Sequence, residues 1–152
     1  YIPPIYSPME TLAIASDHAG FALKEAIRSH FASKVEFLDL GASGTESVDY
    51  PDYGRKLGQA ITEGKAARGI VICGSGIGIS IAANRFPKVR AALCMTAEMA
   101  RLARQHNDAN VLALGERLID QQTAFDIVEA FLNTEFEGGR HARRVEKLGF
   151  QS

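Results

Sequence analysis

Short apolar runs alternate with amphipathic stretches along most of the chain. Leu12–Ala15 is apolar throughout. From about Gly20 to Phe31 the spacing turns helical, with Phe21, Leu23, Ala26 and Ile27 recurring on one face. Val35–Leu40 reads as a second strand closed by Gly41, and Gly41–Tyr50, with its Gly, Ser and Thr, reads as a loop. Pro51 suits the first turn of a helix running to about Lys65, on which Tyr53, Leu57, Ala60 and Ile61 share a face. Gly69–Cys73 is β-branched and uncharged, the pattern of a strand buried on both faces. Gly74–Gly78 then opens a helix through about Arg85, which Pro87 stops. Arg90–Cys94 is a fourth strand, and Thr96 is placed to cap a helix over Ala97–Gln105. Asn110–Leu114 is the fifth strand, and Asp120 caps a helix to about Leu132. The tail from Gly138 has the spacing of one more helix.

Regular strand–helix alternation predicts an α/β fold, a parallel sheet with helices on both faces and right-handed crossovers. Ligands of such sheets bind beyond the carboxyl ends of the strands. Those ends are Ser16-Asp17-His18, Gly41–Asp49, Cys73–Gly76, Cys94–Thr96 and Gly115–Arg117.

Composition narrows the function classes. The chain has 152 residues, 46% apolar and 23% charged, enough for one domain with a substantial core and too apolar for disorder. Lys+Arg minus Asp+Glu is 17 − 18 = −1, which argues against nucleic acid as the main partner. No apolar run approaches the roughly 18–20 residues of a membrane span, and no leader pattern is visible, so the expected compartment is the cytoplasm. Cys73 and Cys94 do not make a disulfide framework. His18, His30, His106 and His141 are scattered, with no CxxC or HxxxH, and no metal or cofactor is expected. Residues 1–8 carry three of the five Pro and no charge, and read as a cloning remnant or an unusual N-terminal extension. Residues 9–152 then form a single domain.

The strongest local signal is Cys73-Gly74-Ser75-Gly76-Ile77-Gly78: a strand ending at a thiol, then a glycine loop opening a helix. Backbone N–H groups in that position favour an anion, and the same field favours a thiolate, the reactive form of cysteine. The loop suits a developing oxyanion. A Rossmann fingerprint would need Gly where Ile79 stands, and a P-loop would need Gly-Lys-Ser/Thr. An inert buried thiol stays open for Cys73, and a structural role is favoured for Cys94. Asp17-His18 puts a carboxylate and an imidazole at the first strand end, although Asp17 could simply cap the next helix. His106 and Asn107 end the fourth helix, where a C-capping role is the plainer alternative. Arg140 and Arg144 lie four apart and could grip a phosphate, or form a solvated basic face. Thiol, imidazole, anion loop and arginines together fit proton transfer on a small phosphorylated substrate.

Six ordered motifs resemble one family. They are Ser16-Asp-His-Ala-Gly20, Asp49-Tyr-Pro51, Cys73–Asn84, Arg104-Gln-His-Asn-Asp108, Asn110-Val-Leu-Ala113 and Glu137-Gly-Gly-Arg-His141. Over about residues 9–150 the chain resembles type B ribose-5-phosphate isomerase, whose family includes galactose-6-phosphate and allose-6-phosphate isomerases. The resemblance implies a Rossmann-like three-layer α/β/α sandwich with strand order 2-1-3-5-4. It implies a cofactor-free aldose–ketose isomerase of the non-oxidative pentose phosphate pathway, at least a homodimer, with sites shared between subunits. Cys73 then stands as the base, His106 as the ring-opening group, and Ser75 as a hydroxyl that moves protons between O1 and O2. Asp17 and Asn107 orient hydroxyls, Gly74, Gly76, Ile77 and Gly78 hold the enediolate, and Tyr50 lines the site. His18, Arg117, Arg140 and Arg144 form the phosphate-contacting set. A six-carbon sugar phosphate is the nearest alternative substrate. A non-catalytic sugar-phosphate-binding module and a thiol redox protein are the alternatives from other classes.

Overall fold

The computed structural model describes residues 9–149. The extension at residues 1–8 and the last three residues lie outside that range. Five parallel strands form one sheet: β1 (Thr11–Ser16), β2 (Glu36–Asp39), β3 (Arg68–Cys73), β4 (Ala91–Leu93) and β5 (Val111–Gly115). Their order is β2-β1-β3-β5-β4, as the family resemblance implies. The α-helices are α1 (Phe21–His30), α2 (Tyr50–Thr62), α3 (Ile77–Ala83), α4 (Ala97–Asn107), α5 (Gln121–Asn133) and α6 (Arg140–Leu148). None is long and apolar enough to cross a membrane.

The alternation of side chains along each strand sorts the core into two layers of different volume. Ile14 pairs with Ile70 and Ile70 with Leu112, and these, with Leu12, Ile72 and Leu114, pack against α1, α4 and α5 through Ile27, Ala100, Phe125 and Phe131. On the opposite face Ala15, Val71 and Ala113 lie in register, joined by Ala13, Val111 and Cys73, under Leu57 and Ile61 of α2 and Ile79 and Ala83 of α3. The second layer is thin, and its helices come close together. A Cβ on Gly54 would lie 2.7 Å from that of Ala82, so glycine is what lets α2 meet α3.

Element ends differ from expectation by a few residues. Tyr50, expected in the loop, is the first residue of α2, and Gly64, at φ +75, closes the turn that follows. The first helix opens with a 3-10 turn over His18–Gly20, because Asp17 Oδ1 accepts from the Gly20 N–H at 3.1 Å. Thr96 and Asp120 cap α4 and α5 as expected, accepting from Met99 N at 3.1 Å and Thr123 N at 2.7 Å. Lys24 departs from the amphipathic reading. It is fully buried, and its ammonium donates to both carboxylate oxygens of Asp39, at 2.9 and 3.0 Å. That pair ties α1 to the edge strand β2.

Candidate active site

Three strand ends converge on one cavity of about 620 Å³. β1 supplies Asp17 and His18, β3 supplies Cys73, Gly74 and Ser75, and β5 supplies Arg117 and Leu118. Tyr50, Ile77, Gly78 and Ile81 complete its wall from α2 and α3. A larger groove of about 770 Å³ runs along α2 between Leu40 and Lys65 and contains neither a thiol nor a glycine loop. The sheet-end rule thus selects the smaller hollow.

The loop after β3 folds back over its own cysteine. Gly76 takes φ +77, and its N–H donates to Cys73 Sγ at 3.2 Å. The Ile77 N–H donates to Ser75 Oγ at 3.2 Å. The loop rests directly on the end of β5. A Cβ on Gly115 would lie 2.5 Å from the Ser75 carbonyl carbon, so Gly115 is what admits the loop there. Glu116 N and Arg117 N donate to the Cys73 and Gly74 carbonyls, both at 3.0 Å, which fixes the start of the β5 loop against the end of β3. The Arg117 guanidinium then lies along Gly74, with Nη1 2.9 Å from where a Cβ would stand. The Cys73 sulfur thus receives a backbone N–H at the cavity wall, and the Arg117 guanidinium borders the glycine that follows it.

Asp17 and His18 are positioned by their own backbone environment. Asp17 is buried; it caps the 3-10 turn, as the plainer alternative had it, and also lines the cavity. The Nδ1 of His18 lies 3.1 Å from the Val48 N–H, and in the tautomer that accepts this bond Nε2 carries the proton. Glu116 was not singled out from sequence. Its carboxylate accepts from the Leu23 N–H at 2.6 Å, so α1 is tied to the residue before Arg117.

The remaining expected site residues lie elsewhere on the protomer. His106 ends α4 about one-third exposed, stacked on His141 with ring centroids 4.3 Å apart. Asp108, at φ 45, terminates α4, and Arg104 donates to the Ala109 carbonyl at 2.7 Å, so the C-capping role does not fall to His106 or Asn107. Asn107 lines a separate hollow with Asn84, Arg90 and Leu148. Arg140 and Arg144 are exposed on α6. Within one chain the cavity therefore holds Asp17, His18, Tyr50, Cys73, Gly74, Ser75, Ile77, Gly78 and Arg117, while His106, Asn107, Arg140 and Arg144 form a second group. Gly76 belongs to the first through its bond to Cys73. Burial pushes the second thiol, Cys94, up to about 11. That agrees with its structural assignment.

Residues 12–148 match the model of the ribose/galactose isomerase family. The ribose-5-phosphate isomerase B of Escherichia coli K12 is 45% identical over 141 residues, covering 92% of this chain and 95% of its own. Two solved structures superpose closely. Ribose-5-phosphate isomerase B of Clostridium thermocellum has a TM-score of 0.90 at 53% identity, covering 91% of this chain and 95% of its own. The Thermotoga maritima ribose 5-phosphate isomerase has a TM-score of 0.90 at 52% identity, with coverage of 92% and 97%. With the glycine loop, its buried cysteine and the strand order all accounted for, the chain belongs to the ribose/galactose isomerase family.

Proposed function

We propose that the protein is an aldose–ketose isomerase that interconverts ribose 5-phosphate and ribulose 5-phosphate through an enediolate. The observation that carries this is Cys73 on the cavity wall, its sulfur held by the Gly76 N–H beneath a loop built to receive negative charge. Cys73 as thiolate takes the proton from C2 and returns it to C1. The negative charge that appears on O1 and O2 meets the N–H groups of Gly74–Gly78, and Ser75 moves the proton between the two oxygens. Each placed acid–base group typically contributes about 10²–10⁴-fold, and a lost oxyanion donor costs about 10²–10³-fold. Asp17 and Asn107 orient hydroxyls, and Tyr50 lines the sugar's path. His18 and Arg117 receive the phosphate, whose remote binding energy holds C2 against the sulfur.

The second group of residues reaches the cavity from another copy of the chain. Met99, Leu102 and His106 share one face of α4, and both apolar members are exposed. Ile77, Ile81 and Leu118 on the cavity rim are exposed as well, at 51%, 59% and 49%. Two such surfaces cover each other in a homodimer, which brings His106, Asn107, Arg140 and Arg144 to the partner's cavity. There His106 opens the furanose ring and the arginines close on the phosphate. Six-carbon substrates and a non-catalytic binding role are set aside, because the catalytic thiol is present and the relatives named above are ribose-5-phosphate isomerases. The reaction belongs to the non-oxidative pentose phosphate pathway, and the compartment we assign is the cytoplasm.

The test is to follow ribose 5-phosphate in D₂O by NMR with the protein and with Cys73→Ala. Ribulose 5-phosphate carrying solvent deuterium, formed only by the unaltered protein, is the expected result. Equal turnover by Cys73→Ala would remove Cys73 as the base, and no turnover by either would remove the substrate.

A further inference from the structure

Among the described residues, one cluster of metal-ligating side chains lies outside the cavity of its own chain. His106 on α4 stacks on His141 of α6, with centroids 4.3 Å apart and planes inclined by 15°. Glu137, one turn before His141, sends Oε1 to 3.9 Å from His106 Nε2 and 3.8 Å from His141 Nε2. One donor atom from each of the three lies within 4.8 Å of the others. Three donors about 2.0–2.2 Å from a tetrahedral zinc stand ~3.4 Å from one another. A contraction of about half an ångström therefore brings the carboxylate to both rings.

We propose that His106, Glu137 and His141 form a site for a borderline divalent transition metal, of which zinc is the best fit, and that the bound ion holds His106 out of reaction. The donor set is two imidazoles and a carboxylate, which suits zinc with a fourth position left to water. Magnesium and calcium, which want oxygen donors throughout, are disfavoured by the same set. The nearly parallel rings must splay for both lone pairs to meet one ion. His141 is only 10% exposed and stays, whereas His106, at 38%, is the ring that turns. Glu137 is half exposed and its backbone N–H donates to the Gln105 carbonyl at 3.1 Å, so the segment before α6 is already fastened beside the end of α4. The third ligand is thus held beside both rings.

Metal binding stands on this geometry alone, while its effect on turnover rests on the role given to His106 above. The experiment therefore reads the two separately. Zinc affinity of the full-length protein is measured by competition with a chromophoric chelator, together with ¹H–¹⁵N imidazole spectra and isomerase activity. One zinc per chain is expected, with shifts at His106 and His141 and inhibition reversed by EDTA. Glu137→Gln and His141→Ala should each weaken zinc binding about tenfold or more, since losing even a group that only hydrogen-bonds to a ligand costs about 10–100-fold. Cys73→Ala should bind zinc as the unaltered protein does. Zinc binding that persists in Glu137→Gln and His141→Ala but disappears in Cys73→Ala would overturn the site and move the metal to the thiol. No binding in the micromolar range by any protein would overturn it outright. Normal binding without inhibition would keep the site and remove His106 from the rate-determining chemistry.

Discussion

Gly74 and Gly76 stand two residues apart over Cys73, and alanine should act differently at each. At Gly76 the φ of +77 costs any other residue about 1–2 kcal/mol. The new Cβ would also lie 2.8 Å from the Leu114 carbonyl carbon and 2.9 Å from its oxygen, backbone atoms held within β5. That overlap adds about 1–3 kcal/mol, so the total is ~2–5 kcal/mol, a melting-temperature loss on the order of 10 °C. The loop can relieve the clash only by lifting from β5, which withdraws the Gly76 N–H from the Cys73 sulfur. We expect kcat/KM to fall by ~10²–10³, the range seen for one lost oxyanion donor. At Gly74 the three atoms nearest the new Cβ would all belong to Arg117, with Nη1 at 2.9 Å, Cζ at 3.3 Å and Cδ at 3.4 Å. A shift of about half an ångström by that flexible side chain restores ordinary contact, and stability should stay within about 0.5 kcal/mol. Only the phosphate contact suffers, so KM should rise ~3–10-fold with kcat nearly unchanged. Thermal melts and initial-rate kinetics on both variants decide the matter. Equal destabilisation, or a Gly74→Ala defect confined to kcat, would refute the geometry given to the loop.

Cys73→Ala should lose ~10²–10⁴-fold in turnover while a substrate-like phosphate still binds, as titration calorimetry would check. Mixing subunits of Cys73→Ala and His106→Ala, each nearly inactive, should restore about a quarter of wild-type activity, because half the dimers carry one intact shared site; no recovery would place both residues in one chain's site. Iodoacetamide at about pH 8 should label Cys73 well before Cys94, since burial holds the Cys94 thiol near 11 and its thiolate scarce; peptide mass spectrometry reads the order. Burial works against ionisation of Asp39, but the hydrogen bonds from Lys24 and the Gly41 N–H and the Lys24 and Arg28 charges outweigh it, and its carboxyl sits below the ordinary value. A carboxyl lowered on folding stabilises fully above its unfolded pKa and loses that contribution as pH falls through the folded one. The melting-temperature gap between the wild type and Lys24→Met should therefore narrow below about pH 4.

What could be read from sequence divides along physical lines. Local chemistry was legible: the β-branched run into Cys73, and the Thr96 and Asp120 caps, each declare themselves within a few residues. Boundaries slipped where a tertiary contact decides them, as at Tyr50, which enters α2 and stacks its ring over Gly78. Lys24 escaped because a lysine on an amphipathic helix reads as solvent-facing, and its partner Asp39 arrives only when β2 docks. The His106–Glu137–His141 cluster has no HxxxH or CxxC signature, and its local trace is the four-residue step from Glu137 to His141. The motifs picked out candidate residues that the structure divides between the cavity and the α4–α6 end, because spacing along a chain does not say which of them the fold brings together.

The unequal thickness of the two core layers has a bearing on how such a chain diverges. On the α1, α4 and α5 face, large aliphatic and aromatic groups can exchange volume with one another, so Leu, Ile and Phe can replace each other in compensating pairs at modest cost. On the α2 and α3 face, Ala13, Ala15 and Ala113 leave no volume to trade, and one added methylene there pushes against the helix that begins at the glycine loop. Neutral drift would thus accumulate on one side of the sheet and stall on the other. The side that stalls is the one Cys73 faces, so the sheet protects the position of that thiol by denying spare room to everything packed beside it.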